Sequence, residues 1–406
     1  MGNLIVAKFL KKQKEIFLKK FIFGNKEKEK LYREHGVINI LSPGRINIIG
    51  EHTDYNLGLS LPMAIDKYKF FTAMRNYSSV IEIYDIGLDQ QYNFAINKII
   101  YDKKVKWSNY IKGILEEYIS RDYKVSGFSL VINSNLASGV GISSSAAILA
   151  GLAKTIEGLF NLNVDLENTM LFCKLAENNF VGIENGFLDH YAVLYGKKDN
   201  ALFLDFKNNS YEYIPINFEN FLFLIIDSKE ERYLPATDYN KRRKECEDAL
   251  KLIIELLKNK TIKSLSDIKL EMLESLKGKL PKKLYKRTRH VITENNRVRQ
   301  TGEYLKKGNI EALGKILVDS HKSLKEDYKV STEKLDFLVE KTIDIKGVYG
   351  SRLMGAGFGG SVLSIINKNN SSEIIETISS QYYKKYDIFP NFIICKSSDG
   401  TKRVLN

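Results

Sequence analysis

Cysteine is scarce in this chain. Cys173, Cys246 and Cys395 are an odd number, widely separated and without a Cys-x-x-Cys pair, which argues against a disulfide framework and against a structural zinc site. Any metal must therefore be held by oxygen ligands. Long apolar runs are missing too: nothing approaches the ~20 residues that a membrane-spanning helix needs, and the densest run, Phe221 to Ile226, has the length of a buried strand. Met1 to Lys8 has no basic segment leading into a long apolar core and a small-residue cleavage site, so a cytoplasmic location is expected rather than export. With 6 Pro and 27 Gly in 406 residues, no Pro-, Gly- or Ser-rich tract marks a linker. No repeat at a period of about 20 to 50 residues is visible either. A chain of this length, 44% hydrophobic, buries a substantial core and is expected to divide into two domains.

Positive charge is abundant. Against 49 Asp plus Glu stand 62 Lys plus Arg, a balance of +13 that favours an anionic partner such as a nucleotide, a nucleic acid or a membrane surface without choosing among them. Part of the excess is local. Lys8 to Lys30 carries nine Lys against three Glu, interleaved with Phe9, Leu10, Ile16, Phe17, Leu18, Phe21 and Phe23. Such a segment suits a membrane surface. The commoner arrangement, and the one expected here, is a terminal helix that packs its apolar side on the core and leaves its lysines in water. A second basic stretch, Lys258 to Arg289, holds eleven Lys or Arg against Asp267, Glu271 and Glu274 and reads as solvated helix faces and loop. Tyr285 is its one aromatic and it has no stacking or zinc pattern, so neither nucleic acid nor membrane is expected as a partner.

The first half alternates short β-rich runs, Val37 to Ile40, Ile81 to Tyr84 and Phe128 to Ile132, with helical stretches. After Phe221 to Ile226 comes a long amphipathic helix from about Asn240 to Lys258, where Cys246, Ala249, Leu250, Ile253, Leu256 and Leu257 recur near helical spacing. Val362 to Ile366 is a further apolar strand, preceded by glycines. The fold class is α+β. The expected domains are residues 1–205 and 206–406, with the final residues free to pack back on the first.

Three short segments concentrate the chemistry. Ser138-Gly139-Val140-Gly141-Ile142-Ser143-Ser144-Ser145 follows a strand and opens a helix that is expected to run to about Ile156. Glycines permit close approach to an anion, serines cap free helix N–H groups, and the helix N-terminus is partly positive, so the segment suits phosphate. It is not the common P-loop, because no Gly-Lys-Ser/Thr follows; an ordinary capped turn would look much the same. Ser42 to Asn56 packs Arg45, Asn47, Glu51, His52 and Asp54 around Gly44 and Gly50, a density of polar groups suited to hydroxyl recognition. Arg352-Leu353-Met354-Gly355-Ala356-Gly357-Phe358-Gly359-Gly360-Ser361 lets backbone pass close to a ligand or to another loop, and alone reads equally as a tight hairpin entry.

In this order, the three segments resemble the signatures of the GHMP small-molecule kinase superfamily. The run Gly44-Arg45-Ile46-Asn47-Ile48-Ile49-Gly50-Glu51-His52-Thr53-Asp54-Tyr55-Asn56 is similar to the galactokinase signature in particular. Further likeness lies in Trp107 to Gly113, Ala176-Glu177, Gly186 with Asp189, Tyr239 to Arg243, Arg289-His290 with Glu294-Asn295, and Ser320 to Leu324.

The resemblance implies a two-domain GHMP kinase fold: an N-terminal ribosomal-protein-S5-domain-2-like α/β domain and a C-terminal ferredoxin-like α+β domain, with the active site in the cleft between them. It implies ATP-dependent phosphorylation of α-D-galactose to α-D-galactose 1-phosphate, the first committed step of galactose catabolism, by a monomer using Mg2+. Asp189 would be the catalytic base and Arg45 its cationic partner, an arrangement that can take the hydroxyl proton and balance charge on the phosphoryl oxygens. Arg45, Glu51, His52, Asp54, Gly186, Asp189 and Tyr239 would bind the sugar. Trp107 with Gly139, Val140, Gly141, Ile142, Ser143, Ser144 and Ser145 would hold the nucleotide, and Ser145 and Glu177 the magnesium ion.

One motif departs from the family pattern. Where galactokinases usually show Cys-Gly-x-Met-Asp-Gln, this chain has Asn185-Gly186-Phe187-Leu188-Asp189-His190, so Asn185 and His190 are expected to alter the surroundings of the base. A kinase for galacturonate, N-acetylgalactosamine or L-arabinose is the alternative within the class. A sugar-sensing regulator that binds without turnover is the alternative outside it, opposed by the intact Ser143-Ser144-Ser145-Ala146 and Asp189.

Overall fold

The computed structural model describes residues 2–137, 139–183, 186–230 and 236–404. Its strands are β1 (Ile38–Asn47), β2 (Leu59–Ser60), β3 (Pro62–Arg75), β4 (Val80–Asp85), β5 (Gln90–Ala95), β6 (Phe128–Ser134), β7 (Asn200–Asp205), β8 (Ser210–Pro215), β9 (Phe221–Asp227), β10 (Val348–Met354), β11 (Ser361–Asn367), β12 (Asn391–Cys395) and β13 (Lys402–Val404). The helices are α1 (Gly2–Phe17), α2 (Lys26–His35), α3 (Ser108–Ile119), α4 (Ser144–Phe160), α5 (Leu166–Leu175), α6 (Leu188–Tyr195), α7 (Ala236–Leu257), α8 (Leu270–Ser275), α9 (Lys282–Lys307), α10 (Ile310–Ser323), α11 (Glu333–Ile343) and α12 (Ser371–Tyr386). Among the described residues the strands form a six-stranded sheet ordered β13-β1-β3-β6-β4-β5, a four-stranded antiparallel sheet ordered β10-β11-β9-β12, and a three-stranded sheet ordered β2-β7-β8.

The unbroken apolar run of β9 is explained by its place between two cores. Every residue of β9 is buried. Phe221, Phe223 and Ile225 join the core that also holds the inner faces of the six-stranded sheet, whereas Leu222, Leu224 and Ile226 join a second core with Ala249 and Ile253 of α7 and Val291 of α9. Period-two alternation thus feeds two hydrophobic clusters from one strand.

The N-terminal basic segment packs as a cover on the six-stranded sheet. Phe17, Phe21 and Ile22 are buried with Val37, Met74, Tyr84 and Val131, while Lys8, Lys11, Lys12, Lys19 and Lys20 are exposed. Buried Gln13 donates from Nε2 to the carbonyls of Phe70 (3.0 Å) and Val131 (2.8 Å), so α1 also reads the backbone of β3 and β6. Asn25 caps α2 by accepting from Lys28 N–H at 3.1 Å, and Gly36 ends it at φ +63°, where glycine is favoured. Phe17, Phe21 and Ile22 are thus spent on the core, while Ile5 and Phe23 stay exposed. Among the described residues no helix is long and apolar enough to cross a membrane.

Two connections bear on domain organisation. β13 returns to pair with β1. The division expected at 205/206 falls within the β7–β8 hairpin, whose strands pair from Asn200–Pro215 to Asp205–Ser210; a boundary that leaves the hairpin whole comes after Pro215.

Candidate active site

The site begins where β1 meets the glycine-serine loop. β1 shifts register between Pro43 and Gly44. A Cβ on Gly44 would lie 2.5 Å from Leu136 Cδ2 and 2.8 Å from Ile142 O, so only glycine lets the strand run this close to the loop. The next residue, Arg45, donates from its backbone N–H to Ile142 O (3.1 Å) and from Nη1 to Gly141 O (2.5 Å). Gly139 and Gly141 sit at φ +82° and +77°, the left-handed region that glycine enters without strain. Ser138 lies outside the described residues.

Ser143 occupies the N-cap of α4 at φ +56°, but it does not cap. Its hydroxyl donates instead to Asp189 Oδ2 at 2.5 Å. The expectation that the serines cap this helix therefore fails at Ser143: its backbone is left-handed rather than in the extended region from which an N-cap oxygen accepts the helix N–H groups. Asp189 stands in the first turn of α6, and its Oδ1 accepts from Arg45 Nε (2.7 Å) and Nη2 (2.6 Å). Burial pushes the Asp189 carboxyl up, and the Arg45 guanidinium with the Ser143 hydroxyl outweighs it, so the group lies below its ordinary value and is ionised at neutral pH.

The segment after β1 brings Glu51, His52 and Asp54 to the same place, with different duties. Glu51 Oε1 accepts from Gly355 N–H (2.7 Å) and Arg352 Nη2 (3.0 Å). His52 has both ring nitrogens engaged: Nε2 lies 3.1 Å from Ala356 O and Nδ1 lies 2.9 Å from Tyr55 Oη. A carbonyl can only accept, so Nε2 carries the proton and Nδ1 accepts from Tyr55. Burial lowers the imidazole to about 4 despite the pull of Glu51, which keeps it neutral. Tyr55 Oη is 2.8 Å from Tyr328 Oη, itself 3.1 Å from Cys246 Sγ, and Tyr239 packs its ring 5.7 Å from His52 and 5.6 Å from Tyr55.

Asp54 differs. Burial, with Asp189 and Glu51 nearby and only partial relief from the Tyr55 N–H, raises its carboxyl to about 6. Its Oδ2 packs against Gly186, where a Cβ would come within 1.9 Å. Only a residue without a side chain fits this close to Asp54.

The backbone of the segment is clamped from the other half of the chain. Arg352, wholly buried, donates from Nη2 to Asn47 O (2.6 Å) and from Nε to Ile48 O (2.7 Å). Glu294 Oε1 accepts from Gly50 N–H (3.1 Å) and from Ser320 Oγ (2.8 Å); Asn295 Oδ1 accepts from Leu59 N–H (2.8 Å). His290 Nε2 lies 3.2 Å from Glu51 O. These supporting residues were visible in the sequence only as motif likeness. A signal was there: His290 and Glu294 have the i, i+4 spacing of one helix face.

A cavity of about 1160 Å3 joins these groups. Arg45, Glu51, His52, Asp54, Gly186, Asp189 and Tyr239 line it together with Gly139, Gly141, Ile142, Ser143, Ser144 and Ser145. Trp107, Val140 and Glu177 are not in its wall. Trp107 Nε1 donates to Gln90 Oε1 at 2.9 Å, and Val140 is buried with its carbonyl accepting from Ser361 Oγ at 2.9 Å. Glu177 is buried in a π-helical turn, Ala176–Val181, with Oε2 3.4 Å from His190 Nε2. His190, expected to alter the surroundings of the base, is fully buried with Nε2 toward Glu177; burial lowers its imidazole to about 4 against the pull of neighbouring Asp189, and Asn185 lies outside the described residues. Asp227, Lys229 and Glu230 complete the wall from the β9 end, a contribution with no motif to announce it.

Comparison with known proteins agrees with this architecture. Residues 28–74 match the galactokinase galactose-binding signature, 109–197 the GHMP kinases N terminal domain and 303–384 the GHMP kinases C terminal domain. The chain is 36% identical over 384 residues to a galactokinase of Fusobacterium nucleatum, spanning 93% of this chain and 98% of that protein. It is 38% identical over 364 residues to a galactokinase of Pyrococcus furiosus, spanning 89% and 98%. The crystal structure of Lactococcus lactis galactokinase complexed with galactose superposes with a TM-score of 0.85 at 30% identity, covering 93% of this chain and 98% of that one. A mevalonate kinase shares the fold at 20% identity, with a TM-score of 0.64 over 89% and 99% of the two chains. With two-domain architecture, signature segment and near full-length identity in accord, the chain belongs to the galactokinase family of GHMP kinases.

Proposed function

We propose that this chain is a galactokinase, transferring the γ-phosphoryl group of ATP to O1 of α-D-galactose to give ADP and α-D-galactose 1-phosphate. The observation that carries the reading is the Arg45–Asp189–Ser143 cluster, which joins the glycine-serine loop to the segment bearing Asp54 in one cavity. Galactose would lie against Asp54, Gly186 and Tyr239 with O1 toward Asp189, and the triphosphate along Gly139 to Ser145 at the N-terminus of α4. Glu51 and His52 shape the sugar side of the pocket through their bonds to Gly355 and Ala356. On family likeness, the adenine ring belongs on the Trp107 side.

In turnover the O1–H bond breaks and its proton passes to Asp189, O1 bonds to the γ-phosphorus, and the bond to the bridging oxygen of ADP breaks. Arg45 stays paired with the carboxylate and balances charge gathering on the phosphoryl oxygens. On family likeness Ser145, on the cavity wall, and Glu177, buried outside that wall, would hold magnesium. An all-oxygen donor pair of this kind fits an ion that keeps phosphate and water oxygens in its shell. When bound, the ion neutralises charge on the phosphate oxygens. A cytoplasmic, monomeric enzyme goes with this reading.

The test is an ADP-coupled assay with D-galactose, N-acetylgalactosamine, galacturonate and L-arabinose, with and without magnesium. Galactose with magnesium is expected to turn over fastest. A different sugar outpacing it overturns the substrate assignment, and no ADP release with any sugar overturns the reaction.

A further inference from the structure

Tyr328 is wholly buried at the end of the π-helical turn Leu324–Tyr328, and its ring centroid lies 4.7 Å from that of His52 and 4.5 Å from that of His290. Both imidazoles take the same tautomer. Burial, against the pull of Glu294, lowers His290 to about 4 and keeps it neutral. Its Nε2 faces the carbonyl of Glu51, which can only accept, so Nε2 carries the proton and Nδ1 accepts from Ser323 Oγ at 2.8 Å. The two rings thus hold the carbonyls of Glu51 and Ala356, one on each of two segments in the cavity wall. Because Tyr55 gives its single proton to His52 Nδ1, its oxygen must accept from Tyr328, and Tyr328 in turn accepts from the Cys246 thiol. Burial raises that thiol to about 11, so it has the proton to give. The backbone of the turn is pinned as well: Arg242 donates from Nε to Tyr328 O (2.8 Å) and from Nη2 to Lys329 O (2.9 Å), and Arg287 Nη1 donates to Asp327 O. At the far end of this chain His52 sits at φ +62°, a left-handed backbone that a non-glycine residue keeps where its surroundings hold it there.

We propose that Tyr328 is a positioning residue for sugar binding: its hydroxyl, acting through Tyr55, orients the His52 imidazole, and its ring seats His52 and His290 against the two carbonyls that shape the sugar side of the cavity. The proposal rests on the galactokinase reading and adds to it a residue that is not itself in the cavity wall. The hydrogen bonds of Tyr328 among the described residues run to Tyr55, Cys246 and Arg242, none of them in the phosphate loop or at Asp189. Loss of its hydroxyl should therefore fall on the sugar and spare the nucleotide and the transfer step. Because each donor in the chain has one proton, the effect passes through Tyr55.

The test is steady-state kinetics with galactose and ATP on wild type, Tyr328→Phe, Tyr55→Phe and the double variant, with the His52 side-chain 15N resonances followed in parallel. Phenylalanine keeps each ring and removes only the hydroxyl. In Tyr328→Phe, KM for galactose is expected to rise about fivefold or more, the scale of one lost hydrogen bond, with kcat within about threefold and KM for ATP unchanged. The double variant is expected to be no worse than Tyr55→Phe alone, because the two hydroxyls act in series. General loosening of the fold would instead raise both KM values and give effects that multiply. An unchanged KM for galactose in folded Tyr328→Phe, a parallel rise for ATP, or multiplying effects overturns the proposal. Should Tyr328→Phe not fold, Tyr55→Phe decides by the same split between the two substrates. The resonances, read with neither sugar nor nucleotide added, are expected to show Nε2 protonated and Nδ1 as acceptor in wild type, and Nδ1 shifted in both single variants. If galactose is not turned over yet Nδ1 shifts, the substrate reading falls and the positioning role stands; if Nδ1 does not shift, the positioning role falls whatever the sugar.

Discussion

Glu51 and Arg352 meet at 3.0 Å with both side chains buried, and the same carboxylate oxygen also holds the N–H of Gly355 at 2.7 Å. A residue expected to bind sugar thus ties its segment to β10 and the glycine-rich turn behind it. Removing one partner of a buried pair leaves the other uncompensated, at a cost of about 3–5 kcal/mol. Glu51→Ala is expected to lose stability on that scale in chemical unfolding, and Glu51→Gln, whose amide oxygen still accepts, distinctly less. A Glu51→Ala variant within about 1 kcal/mol of wild type would remove the proposed tie.

Asp189→Asn keeps the shape of the side chain and removes its capacity to take a proton. Turnover is expected to fall at least ~10²-fold while the protein stays folded, with some loss of stability because buried Arg45 loses its charged partner. Near-normal turnover in a folded Asp189→Asn protein would take the base assignment away from this residue.

Asp54, raised from 3.8 to about 6 by burial, couples activity to pH in one direction and stability in the other. The folded protein holds this proton more tightly than the unfolded chain does, so ionised Asp54 destabilises the fold. The penalty grows as pH rises from about 4 to about 6 and is constant above. Asp54→Asn is therefore expected to be more stable than wild type at pH 7 by roughly 1–3 kcal/mol, with the difference vanishing below pH ~4. Galactose binding should be lost in that variant. In wild type, kcat/KM for galactose should decline as pH falls through about 6, because a protonated carboxyl has fewer lone pairs for sugar hydroxyls. A flat profile from pH 5 to 7, or a less stable Asp54→Asn, would contradict this account.

Gly186→Ala places a methyl 1.9 Å from Asp54 Oδ2. One of the two must move, and overpacking of this kind costs about 1–3 kcal/mol. Taken from sugar binding, that is roughly a 5- to 150-fold weaker Kd for galactose with affinity for an ATP analogue little changed. Calorimetry on the two ligands separately distinguishes this from general damage, which would weaken both.

Much of the fold was legible in local pattern. The run Phe221 to Ile226 reads as a buried strand, the periodicity from Cys246 to Leu257 falls inside α7, and the N-terminal lysines alternate with the apolar residues that α1 and the turn after it bury. These follow from periods of 2 and 3.6, which neighbouring residues impose on themselves. The partners of Glu51, His52 and Ser143 were not legible. They lie 304, 304 and 46 residues away, at Gly355, Ala356 and Asp189, and no local period encodes such pairings.

By itself, the sequence determined which donors, acceptors and left-handed glycines are available and in what order they come along the chain. Only the tertiary structure decided which of their lone pairs and protons are already taken. Each hydroxyl has one proton and each carboxylate a few acceptor positions, and these are allotted by distances that exist only once remote segments have packed together.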